Sequence, residues 1–257
     1  MKISRTNLVL FSPCGGSKKA VEAVARAMPA PRVHDLTLPA NRPQSLSFNS
    51  EDLVIFGFPV YGGRLPAISE KLFSTISGRQ TPAVLVAVYG NREYEGAFLD
   101  MEAMSRARGF RPVAAAAAIA EHSIEPSIAA GRPDAADQGA LADFGRRVYE
   151  RLLAQPDLEA FAFEAPGVRP DREPSGSSGP QADTELCIKC GQCVGVCPVS
   201  AIDQQDPTIT TDQCIGCMAC VKVCPVSARA LRRSDLPQLL EWLKSVTAER
   251  KEPTFFY

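Results

Sequence analysis

The first 163 residues alternate apolar runs with stretches of helical period. Four runs, 7–11 (NLVLF), 52–60 (DLVIFGFPV), 83–89 (AVLVAVY) and 112–120 (PVAAAAAIA), are apolar at nearly every position. A strand covered on one face alternates apolar with polar residues, whereas a strand covered on both faces does not. These runs therefore predict a parallel sheet between two layers of helices. A weaker strand is predicted at 32–36 (RVHDL), and helices around 17–28, 66–77, 95–108 and 135–154. In the first of these, Val21, Val24, Ala25 and Met28 fall on one face. The order predicts an α/β fold with a doubly wound sheet of five parallel strands. Residues 37–52, with Pro39 and Pro43 and little periodicity, predict a loop instead of a helix between strands two and three.

The pattern stops at 164–183 (EAPGVRPDREPSGSSGPQAD), a Pro-, Gly- and Ser-rich linker. Extended, it could reach ~65–70 Å; as a coil it would average roughly 25 Å. Residues 184–233 then carry an internal repeat. CIKCGQCVGVCPVSA at 187 and CIGCMACVKVCPVSA at 214 agree at 11 of 15 positions, offset by 27 residues. In the C-terminal part, 234–257, Ser234 or Asp235 can cap a helix with an apolar stripe of Leu236, Leu239, Leu240, Leu243 and Val246. Packing of Trp242 and the terminal FFY on this chain's own domains is preferred over a role in facing a partner.

Composition narrows the function classes. The formal net charge of −1 over 257 residues gives no electrostatic basis for binding nucleic acid or an acidic membrane. No apolar run reaches the ~18 residues of a membrane span. The opening MKISRTNLVLF resembles a lipoprotein signal before Cys14, but its apolar stretch is shorter than the roughly 7–15 residues of a signal core. Pro13 also stands where a small residue is needed. A first β-strand and a cytoplasmic location are expected.

Eight of the nine cysteines form two copies of C-x2-C-x2-C-x3-C-P, the spacing of bacterial ferredoxins with two [4Fe–4S] clusters. Three close thiolates wrap one cube and the fourth, before Pro, reaches the other. One cluster is expected on Cys187, Cys190, Cys193 and Cys224, the other on Cys214, Cys217, Cys220 and Cys197. Disulfides do not suit a cytosolic chain, and zinc motifs need no third cysteine followed by Cys-Pro. Between Asp183 and Arg233 the acidic and basic side chains cancel. Two clusters with their thiolates add about −4, so a redox partner with a basic docking face is expected.

Three loops follow the strands at the edge where open α/β sheets bind ligands: 12–19 (SPCGGSKK), 59–66 (PVYGGRLP) and 89–96 (YGNREYEG). The first opens a helix, whose dipole and N–H groups favour an anion. Lys18 and Lys19 there would be unfavourable by about 0.3–1 kcal/mol unless an anion binds. The lysines and helix end should lower the Cys14 pKa. Tyr61, with Gly62 and Gly63, and Tyr89, Gly90, Asn91 and Tyr94 suit a planar aromatic ligand carrying a phosphate, which describes FMN. A peptide flip at Gly62 or Gly63 could bond a reduced ring. His34 is expected at the surface. His122 follows strand five, where a loop histidine satisfied by its neighbours is preferred over one that approaches the flavin. No catalytic triad, carboxylate pair or Gly-x-Gly-x-x-Gly motif is evident, so no catalytic residue is assigned.

The stretches FSPCGGSKK, GFPVYGGRLP, VYGNREYE and AEHSIEPSIAAGRPDAAD, together with both cysteine repeats, resemble those of the bacterial and archaeal flavodoxin–ferredoxin fusion proteins, an iron–sulfur flavoprotein family. The resemblance implies a flavodoxin-like domain over 1–163 and a small α+β ferredoxin-like domain over 184–233. It places Ser12, Gly15, Gly16 and Ser17 on the FMN phosphate, with Cys14 where such loops commonly carry a hydroxyl. It places Pro59, Val60, Tyr61, Gly62 and Gly63, with Tyr89, Gly90, Asn91, Arg92 and Tyr94, along the ring. The expected function is electron transfer among two [4Fe–4S] clusters, FMN and redox partner proteins. The alternatives are a ferredoxin-type carrier with a flavin-free docking domain, or a redox-sensing interaction protein.

Overall fold

The computed structural model describes residues 1–170 and 179–257; residues 171–178 of the predicted linker lie outside the described residues. The N-terminal elements are β1 (Arg5–Leu10), α1 (Gly16–Val24), β2 (Arg32–Asp35), β3 (Asp52–Pro59), α2 (Ser69–Ser74), β4 (Thr81–Tyr89), α3 (Ala97–Ala107), β5 (Phe110–Ile119) and α4 (Ala135–Ala154). The cysteine-rich part adds the short α5 (Gln192–Gly195) and α6 (Ala219–Lys222). The C-terminal part adds α7 (Leu236–Val246) and β6 (Thr254–Phe256).

The main sheet runs β2-β1-β3-β4-β5-β6. Its first five strands are parallel, in the order 2-1-3-4-5 of flavodoxin-like sheets. Successive residues of β1 serve opposite cores, which is why the run is apolar throughout. Leu8 and Leu10 pack with α1 and α4 residues such as Val21, Val24 and Phe144. Val9 and Phe11 pack with Phe56, Phe58 and Phe98 on the other side. The segment between β2 and β3 is a loop with a single 3-10 turn at Pro39–Asn41 and a two-residue strand, Leu46–Ser47.

The structure adds a sixth strand to the five expected. Thr254–Phe256 pairs antiparallel with Ala115–Ala117 of β5. Residues 114–118 of β5 are all alanine and bring little apolar area, so the tail's aromatics supply it. Phe255 stacks on Phe144 at 4.9 Å on one face, and Phe256 meets Phe98 at 5.8 Å on the other. The tail thus belongs to the sheet of the first domain, and it covers an edge that would otherwise be open. The α7 stripe is only partly covered: Leu243 is buried and Val246 exposed. Asp235 precedes α7 but makes no side-chain cap; it pairs with Arg233 instead.

The cysteine-rich domain is held by two short strands, Gln181–Ala182 and Arg229–Ala230. Its buried apolar cluster is small: Cys193, Ile202 and Cys220, with Val194, Cys197 and Val221 against it.

Candidate cofactor sites

The eight repeat cysteines sort into two cavities. One is lined by Cys187, Cys190, Cys193 and Cys224, the other by Cys197, Cys214, Cys217 and Cys220. Each cavity takes three thiols from one repeat and the fourth from the other. The fourth thiols are matched: Cys197 accepts a hydrogen bond from the Ala201 N–H, and Cys224 one from the Ala228 N–H, both at 3.2 Å. Burial works against the thiolate at Cys224, but N–H groups of Arg229, Val226 and Ala228 outweigh it and lower the pKa. Burial pushes Cys217 up to about 12 and Cys220 up to about 11, so these thiols need positive iron to lose their protons.

The fit to an anionic cluster is also visible in Arg229. This buried cation lines the first cavity, donates to Thr210 Oγ1 at 2.9 Å, and among the described residues its Nε has no partner. The first cavity lies at the surface: Cys190 is exposed, and Leu186 and Ile188 beside it are 53% and 62% exposed. The second faces inward, with Cys217 and Cys220 buried.

A third cavity, of about 200 Å³, lies at the carboxyl edge of the main sheet. Of the sequence-derived candidates, Ser12, Cys14, Gly16, Ser17, Pro59, Val60, Tyr61 and Gly90 line it. The helix α1 starts there behind Gly15, which sits at φ +90° with no side-chain cap and no acidic residue in the first turn. Ser12 Oγ takes the Lys18 N–H at 2.9 Å. Among the described residues, the Gly16 and Ser17 N–H groups have no acceptor, which is the donor set of an anion site.

The other candidates stand behind this layer. Gly62 and Gly63 form the tip of a tight turn between Tyr61 and Arg64, at φ +59° and +84°, the conformation that favours glycine. Gly63 faces the Glu95 side chain, and its carbonyl accepts the Gly96 N–H at 2.9 Å. Neither glycine lines the cavity, although the preceding Tyr61 does. Asn91 is buried, and its amide donates to the carbonyls of Thr247 and Glu249 at 3.0 and 2.8 Å and accepts from Lys251 N at 3.1 Å. It fastens the C-terminal segment. Arg92 pairs with Glu95 at 2.7 Å, and Tyr94 packs edge-on against Tyr89, Phe98 and Phe256. Burial, followed by Glu93 and Tyr94, raises Tyr89 to about 12.

Two expectations change. The Cys14 pKa is raised, not lowered: burial dominates, and Lys222 lowers it less. Its thiol donates to the Cys217 carbonyl at 3.0 Å. His34 is half-buried, not a free surface residue; its Nε2 lies 3.1 Å from Asn7 Oδ1, and burial, then Arg32, lowers its pKa.

His122 lines the cavity with its ring against Gly90, where a Cβ would meet it at 2.4 Å. Its Nδ1 accepts the N–H groups of Ile124 and Glu125 at 3.2 and 3.3 Å. Burial also lowers its pKa, so the neutral ring carries its proton on Nε2. The preferred reading, a loop histidine satisfied by its neighbours, matches these hydrogen bonds, and the ring also lines the cavity.

The sequence reading missed Glu121, Arg132, Met218, Val221 and Lys222, which are also part of the lining. The last three come from the cysteine-rich domain. That domain docks on the first through Cys14, through Arg42 Nη2 to the Pro198 carbonyl at 2.5 Å, and through Lys222. Lys222 Nζ lies 3.4 Å from the Cys14 carbonyl and 3.5 Å from Glu121 Oε1. Tyr61 is held at this junction, its pKa raised well above the usual by burial and then by Cys217, Cys14 and Cys214.

Fold and sites together define the class: a flavodoxin-like α/β domain fused to a 4Fe-4S domain. The comparison with family models agrees with the second part. The 4Fe-4S dicluster domain family matches residues 179–234. A flavodoxin from the domain Archaea is similar at 12% identity, over 58% of this chain and 99% of that one, with a TM-score of 0.40. Oxidised Flavodoxin 1 from Bacillus cereus is similar at 14% identity, over 57% and 98%, with a TM-score of 0.41. An azoreductase from Bacillus anthracis str. Sterne is similar at 13% identity, over 59% and 100%, with a TM-score of 0.34. At these values the fold rests on the sheet order itself. No curated protein matches the chain. Among the described residues no helix is long and apolar enough to cross a membrane.

Proposed function

We propose that this chain is an electron-transfer iron–sulfur flavoprotein that passes electrons between two [4Fe–4S] clusters, FMN and redox partner proteins. One observation carries the reading: Met218 lines both the sheet-edge cavity and the cavity of Cys197, Cys214, Cys217 and Cys220. The shared lining residue supports placing the ligand site next to a cluster site. When bound, FMN exchanges one or two electrons and each cluster exchanges one, so the pair can interconvert the two kinds of chemistry.

The chain's own residues supply binding and insulation. Ser12, Gly16, Ser17 and the start of α1 hold the phosphate, and Pro59, Val60, Tyr61 and Gly90 border the ring. Gly15, Gly62, Gly63, Tyr89, Asn91, Arg92 and Tyr94 hold those walls in position. The Cys187, Cys190, Cys193 and Cys224 site, with Ile188 exposed beside it, is the port toward an external partner. The second site is the inner one.

A specific observation keeps the flavin-free docking domain as a second reading. The cavity of about 200 Å³ is smaller than the roughly 300 Å³ at which small-molecule sites usually begin. Anaerobic reconstitution followed by iron, sulfide and FMN quantification decides between them. The flavoprotein reading predicts about eight iron, about eight sulfide and about one FMN per chain. Full iron and sulfide with no retained FMN would leave only the carrier.

A further inference from the structure

The two cysteine repeats differ at four positions: Lys189 against Gly216, Gly191 against Met218, Gln192 against Ala219, and Gly195 against Lys222. In the second repeat, two of these, Met218 and Lys222, lie where the domain meets the first. Ala219 is 2% exposed, and Met218 and Lys222 line the sheet-edge cavity. Gln192 and Gly195 in the first repeat are exposed.

Met218 adds a backbone argument. It holds φ +64° at the entry to α6, and Gly191 holds φ +73° at the entry to α5. Glycine takes this conformation freely, while a residue with a side chain is disfavoured by roughly 1 kcal/mol or more. The second repeat keeps a methionine there, 4% exposed, in the wall between cavity and cluster. Lys222 places an ammonium at the cavity mouth, beside the turn that starts α1. Gly195 in the matching position has nothing within 4 Å of a built Cβ, so sterics do not demand glycine there.

We propose that the second cysteine repeat completes the ligand site: Met218 forms an apolar wall and Lys222 is a cation for the anionic end. The ligand class is a phosphorylated planar aromatic, and the inference rests on the flavin reading above. The site is then shared between two domains. By linkage, the affinity for the ligand depends on the second repeat being folded around its cluster, and ligand binding in turn favours that fold.

The test is titration of the reconstituted full chain with FMN and with riboflavin, which lacks the phosphate, following flavin fluorescence. Met218→Gly restores the residue of the first repeat at a positive φ, so it is expected to fold. It should weaken both flavins about fivefold through lost apolar contact. Lys222→Ala should weaken FMN about fivefold at low ionic strength, less at high salt, and leave riboflavin unchanged. Gly195→Lys, in the first repeat, should change neither.

Wild-type affinities retained in both Met218→Gly and Lys222→Ala would overturn the shared site and leave the flavin reading standing. Equal weakening of FMN and riboflavin by Lys222→Ala would overturn its role toward the phosphate. No FMN binding by the wild-type chain would overturn both this inference and the flavin reading.

Discussion

Replacing Arg132 by methionine is expected to destabilise the chain by about 3–5 kcal/mol, the usual cost of leaving one member of a buried ion pair uncompensated. Arg132 and Asp137 are 4% and 0% exposed at their side chains. The Arg132 guanidinium donates from Nε to Asp137 Oδ2 at 2.7 Å, with Nη2 donating to Oδ1. Its Nη1 also donates to the Lys251 carbonyl at 2.6 Å, tying the loop after β5 to the C-terminal segment. Asp137 accepts the Asp134 N–H at 2.9 Å, closing the capping box that starts α4. Methionine fills much of the same space but leaves the buried Asp137 carboxylate with only the more distant, half-exposed Arg250 guanidinium at 3.6 Å.

Against a total stability of roughly 5–15 kcal/mol, such a loss is large. It should appear as a lowered midpoint in thermal denaturation at neutral pH. The paired change Arg132→Met with Asp137→Leu should recover a good part of it, because no charge is then stranded. A loss below about 1 kcal/mol for Arg132→Met would show that Arg250, already 3.6 Å from Asp137 Oδ1, takes over the pairing.

The second large effect concerns the crossed thiols. If Cys224 completes the site of Cys187, Cys190 and Cys193, then Cys187→Ser with Cys224→Ser removes one cluster, and iron falls from about eight to about four per chain. Cys187→Ser with Cys197→Ser should damage both sites and leave far less iron. An uncrossed arrangement predicts the reverse, with the Cys187 and Cys197 pair the milder. Iron and sulfide analysis of the two double variants separates the arrangements, and each serves as the folding control for the other.

Most of the architecture was legible because it is written in local patterns. Runs apolar at nearly every position, such as 52–60, with their short length and β-branched and aromatic residues, read as strands buried on both faces, and the cysteine spacing groups the thiols without reference to the fold. The sixth strand was not legible. Thr254–Phe256 is three residues long, and what recruits it is the poverty of the alanine run in β5, a long-range shortage that no local pattern shows. The loops around the sheet edge were found from their glycines and aromatics, but sequence could not tell the residues that face the cavity from those one layer behind. Asn91 and Tyr94 carry plausible chemistry and spend it on the C-terminal segment and its aromatics. Cys14 was misjudged because the helix end and the lysines are visible in sequence, whereas its burial beneath the second domain is not. Met218 and Lys222 did leave a trace, as differences between repeats that otherwise agree. Only the docked structure gives those differences a meaning.

The central claim is that electrons cross from the inner cluster to the ligand at the sheet edge within one chain. Its most direct test is rapid reduction of the reconstituted, FMN-loaded protein by a one-electron donor, following cluster and flavin absorbance together. The account predicts flavin reduction at a rate independent of protein concentration and lost in Cys197→Ser; Cys224→Ser, which removes the outer port, should slow electron entry but leave the step from inner cluster to flavin intact. A rate proportional to protein concentration, or one unchanged in Cys197→Ser, would contradict it.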